Sequence, residues 1–146
     1  MQATEAIPTL NRLMTVLCRS LPAYLVDAKP WTRTVAGEPF TAITRLAADQ
    51  HRYARHLANA LSELGEQPSY GRFPAAFAAK NDLALDFLLK DVVACQQEDV
   101  KTIEGYAVEL EGIPALHALA EEILGNAKGH LDILRGLAKE AGSPKS

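Results

Sequence analysis

Cysteine is scarce in this chain. Cys18 and Cys95 are the two among 146 residues, too few for a disulfide framework. Aromatic residues make up only 6% while hydrophobic residues reach 48%. With abundant alanine, that balance favours closely packed helices over a β-sandwich. No apolar run approaches the roughly 18 residues needed to span a bilayer. The first residues, MQATEAIPTL, lack the basic start and apolar run of a secretory leader. The expected location is therefore the cytoplasm, with both thiols reduced and no membrane partner. A Cys18–Cys95 disulfide is disfavoured in that compartment. Net charge is −3, and no basic run or interleaved aromatic patch is present, which argues against nucleic acid as the main partner. No glycine-rich phosphate loop, short repeat, low-complexity segment or Ser/His/Asp arrangement stands out from spacing.

What the chain does have is helical periodicity. From Thr41 to Leu64 the residues Ile43, Ala47, Gln50, Ala54, Leu57, Leu61 and Leu64 recur at alternating steps of four and three, the seam of one long helix facing others. Three more segments show the same pattern. Leu10, Leu13, Met14, Leu17, Leu21 and Leu25 mark a first helix over 8–28, preceded by a loose lead-in. Pro22 is expected to bend it, and Lys29-Pro30 to end it. Pro39 suits the first turn of a helix over 39–64, and Gly65 its C′ position. A third helix over 82–109, with Asp82 as N-cap, carries the seam Leu85, Leu89, Val92, Gln96, Asp99, Ile103 and Tyr106. After the turn at 111–113, Pro114 opens a fourth over 114–141, with Leu116, Ala120, Ile123, Ala127, His130, Leu134 and Leu137 facing inward. Gly142 and a polar tail follow. The expectation is a single all-α domain over 1–146, a four-helix bundle with one long connection. Residues 65–81 are that connection. Stretched out they reach roughly 55 Å, more than the roughly 38 Å of a 25-residue helix, so they could cross the bundle's full length.

Polar groups gather near the helix midpoints. Cys18, His51, Cys95 and His130 each fall near the middle of one helix, with Gln50, Gln96 and Asp99 on or beside the seams. Buried polar groups need partners or cost a few kcal/mol each. One reading is a hydrogen-bonded network that sets helix register, with the cysteines as small core residues. The other is a metal site. His51, His130, Cys95 and Cys18 form the ligand set of tetrahedral zinc, with Asp99 replacing a cysteine or orienting a histidine. Other titratable residues read more plainly: His56 and His117 as surface groups, Tyr24, Tyr53 and Tyr106 as bundle tyrosines with buried rings.

Four helices, a long second connection and a mid-helix histidine in helices 2 and 4 resemble the ferritin-like superfamily. The stretches AADQHRYARHL and ILGNAKGHLDIL carry the likeness, with His51 and His130 in the histidine slots of the Glu-x-x-His pairs. The glutamate slots of those pairs hold Ala48 and Ala127. In helix 1 the slot falls at or beside Leu17, and in helix 3 at Cys95 or Gln96. The resemblance thus implies the fold but not the activity, because two irons about 3.5–4 Å apart need bridging carboxylates. The leading expectation is a ferritin-like bundle without a di-iron centre, a non-catalytic binding or structural protein. It is expected to self-associate through an apolar linker patch of Phe73, Ala75, Ala76 and Phe77. The alternatives are a rebuilt mononuclear site holding one zinc or copper ion, and a small-molecule carrier or sensor using volume left beside Ala48 and Ala127.

Overall fold

A computed structural model describes residues 2–28, 38–80 and 85–141. Among them the chain is all-α: α1 (Ile7–Cys18), α2 (Leu21–Ala28), α3 (Glu38–Glu63), α4 (Leu85–Glu109) and α5 (Pro114–Ala141). Short 3₁₀ turns cover Ala3–Ala6 and Ala75–Lys80. The lead-in is therefore ordered, and Ala6 is buried against the core. The expected cap at Asp82, the loop around Trp31 and Gly37, and the tail from Gly142 lie outside the described residues.

The expected first helix is two helices. Pro22 has no N–H to offer the Cys18 carbonyl four residues back, and its ring crowds that position. The helix accordingly stops at Cys18. Arg19 takes φ −117° and ψ 24°, and Ser20 restarts it by accepting the Ala23 N–H on its Oγ at 3.1 Å. Pro22 thereby sits in a first turn, where its missing donor costs nothing. The Cys18 carbonyl accepts from the Arg19 guanidinium at 3.3 Å instead.

Two apolar clusters show how the rods run. One joins Leu10, Leu13 and Leu17 of α1 with Leu57 and Leu61 of α3, Ile103 and Leu110 of α4, and Ile123 of α5. The other joins Leu21 and Leu25 of α2 with Ile43 and Leu46 of α3, Leu88, Leu89 and Val92 of α4, and Leu134 of α5. The early part of α3 thus meets the early part of α4 and the late part of α5. So α3 and α4 run parallel, and α1/α2 and α5 run opposite to them. Each fully buried leucine contributes roughly 1.5–3 kcal/mol of transfer free energy.

A parallel α3 and α4 require the connection to traverse the bundle, and it does so along α1 and α2. α3 ends in a Schellman arrangement, with Gly65 at φ +80° and the Glu66 N–H on the Leu61 carbonyl at 2.9 Å. The Ser69 N–H then donates to Asn11 Oδ1 at 2.9 Å. Arg19 Nε donates to the Gly71 carbonyl at 2.9 Å and its guanidinium lies 4.9 Å from the Phe73 ring centre. Tyr24 closes the run, with ring centres 5.3 Å from Phe73 and 5.7 Å from Phe77. Both phenylalanines are therefore half-buried on α2, and the linker offers less exposed apolar surface for self-association than its composition suggests. Between α4 and α5 the turn is as short as expected, and the Ile113 N–H donates to the Leu110 carbonyl at 2.9 Å. Among the described residues no helix is long and apolar enough to cross a membrane.

Candidate functional site

Between the two apolar clusters lies a waist of polar side chains, and each belongs to a particular pairing. Gln50 is buried on α3, where its Oε1 accepts the Ser20 hydroxyl at 2.7 Å. Gln96 is buried on α4 and its Nε2 donates to the Ala127 carbonyl of α5 at 3.1 Å. That bond fixes which end of the amide is nitrogen, and it leaves Gln96 Oε1 buried without a partner among the described residues. On the outer side of α3, Asp49 Oδ2 accepts from His130 Nε2 at 2.7 Å and from Asn126 Nδ2 at 2.8 Å. Arg52 stands 3.6 Å from Asp49 Oδ1. Burial pushes the Asp49 carboxyl up, but those hydrogen bonds and the charges of His130 and Arg52 outweigh it and hold it below the usual carboxylate range. Tyr53 Oη donates to Glu122 at 3.4 Å, and burial, reinforced by that carboxylate, pushes its phenol up.

The five residues expected to meet around a metal are spread over three concavities. Cys18 and His51 line a groove between α1/α2 and α3. Cys95 and Asp99 line a cavity beneath the connection. His130 lines a third, between α3 and α5. Among the described residues no group of three or more His, Cys, Asp or Glu side chains is placed to hold a metal ion. The reason is rotational phase. Gln50 takes the inward position on α3, which turns Ala48 and His51 out to solvent. On α4 the buried row passes from Gln96 to Val100, Ile103 and Ala107, so Asp99 and Tyr106 slip to its margin. Burial and the neighbouring Glu98 raise the Asp99 carboxyl to about 7. Cys18 is half-buried with its Sγ 3.7 Å from the Met14 sulfur, and burial, partly offset by Arg19, pushes its thiol up. The two cysteines line different concavities. Ala127 is buried in the core, as expected of a seam residue. His117 is not a simple surface group: its Nδ1 is 2.8 Å from the Ala107 carbonyl.

The groove between α1/α2 and α3 is the largest of the concavities described, about 560 Å³, within the roughly 300–1,000 Å³ of small-ligand sites. It opens where α1 gives way to α2. Small side chains floor it, among them Ala23, Ala47, Ala48, Ala54 and Ala58, and Tyr70 of the connection also lines it. Arg19, His51 and Arg55 supply its ionisable nitrogen groups, and none of the described residues that line it is acidic.

Sequence reasoning passed over Asp49, Ser20, Arg19 and Arg55. Asp49 lies off the seam and finds His130 only through the packing of α3 on α5. Ser20 had a readable signal: a serine two residues before a proline is a helix start. Arg19 and Arg55 became relevant only with the groove, which belongs to outer helix faces that seam analysis does not address. No family model matches the chain, and no curated protein matches it.

Proposed function

We propose that this chain is a ferritin-like bundle acting as a non-catalytic binding protein, with the groove between α1/α2 and α3 as its ligand surface. Parallel α3 and α4 joined by a crossing connection support the ferritin-like part, since the resemblance implies that chain path. The exposed positions of Ala48 and His51 lend it nothing.

The binding part is carried by one observation, the groove itself. It combines a ligand-sized volume, an apolar floor and a few ionisable nitrogen side chains. The waist polar residues meanwhile bond helix to helix, as Ser20 does with Gln50 and Asp49 with His130. Their arrangement serves register better than chemistry.

Filling the groove tests this. Ala48 is exposed and lines it, so Ala48→Phe occupies the volume without crowding the core. An apolar fluorescent dye is expected to bind wild type at one site per chain and to lose that site in Ala48→Phe. Unchanged dye binding in a folded variant would refute the assignment. Of the metal candidates, Cys18 and His51 share one concavity and Cys95 and Asp99 another. Stoichiometric zinc or copper in untagged protein, lost in His51→Ala, would restore the metal reading.

A further inference from the structure

Resting on that binding role, we propose that the groove takes a small amphiphile with a carboxylate head and an apolar tail. The Ser20–Gln50 hydrogen bond fixes the register of its two walls. With α1/α2 antiparallel to α3, residues before Ser20 on one wall face residues after Gln50 on the other. His51 and Arg55 therefore share one half of the groove, and Arg19 stands at the register point beside them. Ala23 and Val26 share the other half with Thr44 and Ala47. The ionisable nitrogens thus run from the middle of the groove, at Arg19 and His51, into the half that holds Arg55, and none of the described residues lining the other half carries one. From Thr44 to Ala58 the groove follows α3 for about 21 Å, at 1.5 Å per residue step.

Charge selects the head group. The whole chain has more acidic than basic residues, 18 against 15, yet none of the described lining residues is acidic and two are arginines. That local reversal favours an anion. Arg19 is already oriented, with Nε on the Gly71 carbonyl, one terminal nitrogen on the Cys18 carbonyl, and the guanidinium over Phe73. Its remaining donors are held in place, so little rotamer freedom is lost when they engage a ligand. The planar guanidinium fork matches the two oxygens of a carboxylate. Burial pushes the Cys18 thiol up, so it adds no negative charge beside the arginines.

Calorimetric titration with decanoate, decanol and decylamine, all below their aggregation limits, tests the inference. Decanoate is expected to bind one per chain, about tenfold or more tighter than decanol or decylamine. Arg55 is exposed, so Arg55→Gln should fold normally. It should weaken decanoate about tenfold and leave decanol within about twofold. In a Cys95→Ser background, decanoate should slow alkylation of Cys18. Equal binding of decanoate and decanol, unmoved by Arg55→Gln, would overturn the carboxylate assignment and leave the groove as a binding site. Failure of all three ligands and of the apolar dye would overturn both. A ligand-free dimer by light scattering, dispersed by Ala48→Phe, would also overturn it and make a second copy of this chain the occupant.

Discussion

Two glutamines at the same depth of the bundle should respond to the same substitution with opposite signs. Gln96→Leu removes one hydrogen bond, from Nε2 to the Ala127 carbonyl, worth about 0.5–1.5 kcal/mol net. The Ala127 carbonyl sits inside α5 and keeps its intrahelical donor, so nothing is stranded there. The same substitution removes Oε1, a buried acceptor without a partner among the described residues, whose desolvation costs about 1–3 kcal/mol. Leucine has similar bulk and adds apolar contact with the surrounding core. The balance is a gain of about 1 kcal/mol. Gln50→Leu instead takes away the acceptor of the buried Ser20 hydroxyl, and a loss of about 1–2 kcal/mol is expected. Urea denaturation at pH 7 reads both, as a shift in midpoint at constant slope. In thermal melts 1 kcal/mol corresponds to about 2–4 °C for a chain of this size. A destabilised Gln96→Leu with an unchanged slope would refute the reasoning, and would mean that an ordered water completes Oε1.

Asp99 should make stability fall as pH rises. Its carboxyl is raised to about 7 in the folded chain, so between about 4 and 7 the folded state holds a proton that the unfolded state has released. For this group stability is highest at and below about pH 4, declines from there to about 7, and is level above. Asp99→Asn should flatten that decline and melt higher than wild type at pH 8, read by calorimetry across pH. Asp49 acts in the other direction, because its folded carboxyl lies below the ordinary value of 3.8. Its contribution is complete above that value and is lost as pH falls through the folded one. Asp49→Asn should cost about 1 kcal/mol at pH 7, a modest figure because the pair is partly exposed, and should weaken the acid limb of the profile. Gly71→Ala should loosen the connection. Its φ is +74° and an added Cβ would lie 2.7 Å from Thr15 Cγ2, so backbone strain alone adds about 1–2 kcal/mol. Faster amide exchange from Ser69 to Phe77, with little change in α4 and α5, is the expected readout.

The long helices were legible because their signals were redundant. Periodicity, Gly65 and Pro114 all agree on α3 and α5, and those elements run 38–63 and 114–141 against expected bounds of 39–64 and 114–141. Leu57, Leu61 and Leu134 fall in the core for the same reason. The waist was legible only as composition. A seam drawn every three or four residues carries an uncertainty of tens of degrees, enough to move His51 from core to solvent when Gln50 claims the inward position. Asp99 shows the same error on α4, where the buried row moves on to Val100. The groove was not legible, since it arises between outward faces whose residues carry no periodic requirement.

The break at Arg19–Ser20 links these features. Pro22 withholds one donor from the Cys18 carbonyl, and the helix yields there instead of bending. The residue released from helical geometry is Arg19. Its guanidinium satisfies that stranded carbonyl, fastens the connection at Gly71 and packs on Phe73. The residue that restarts the helix is Ser20, whose hydroxyl caps α2 and holds Gln50 inward. Holding Gln50 inward is what places Ala48 and His51 on the groove. A continuous first helix would leave neither Arg19 nor Ser20 free for these contacts. The proline thus acts on the crossing connection, on the phase of α3 and on the groove through one missing N–H, and the groove follows from the same local chemistry that sets the chain path.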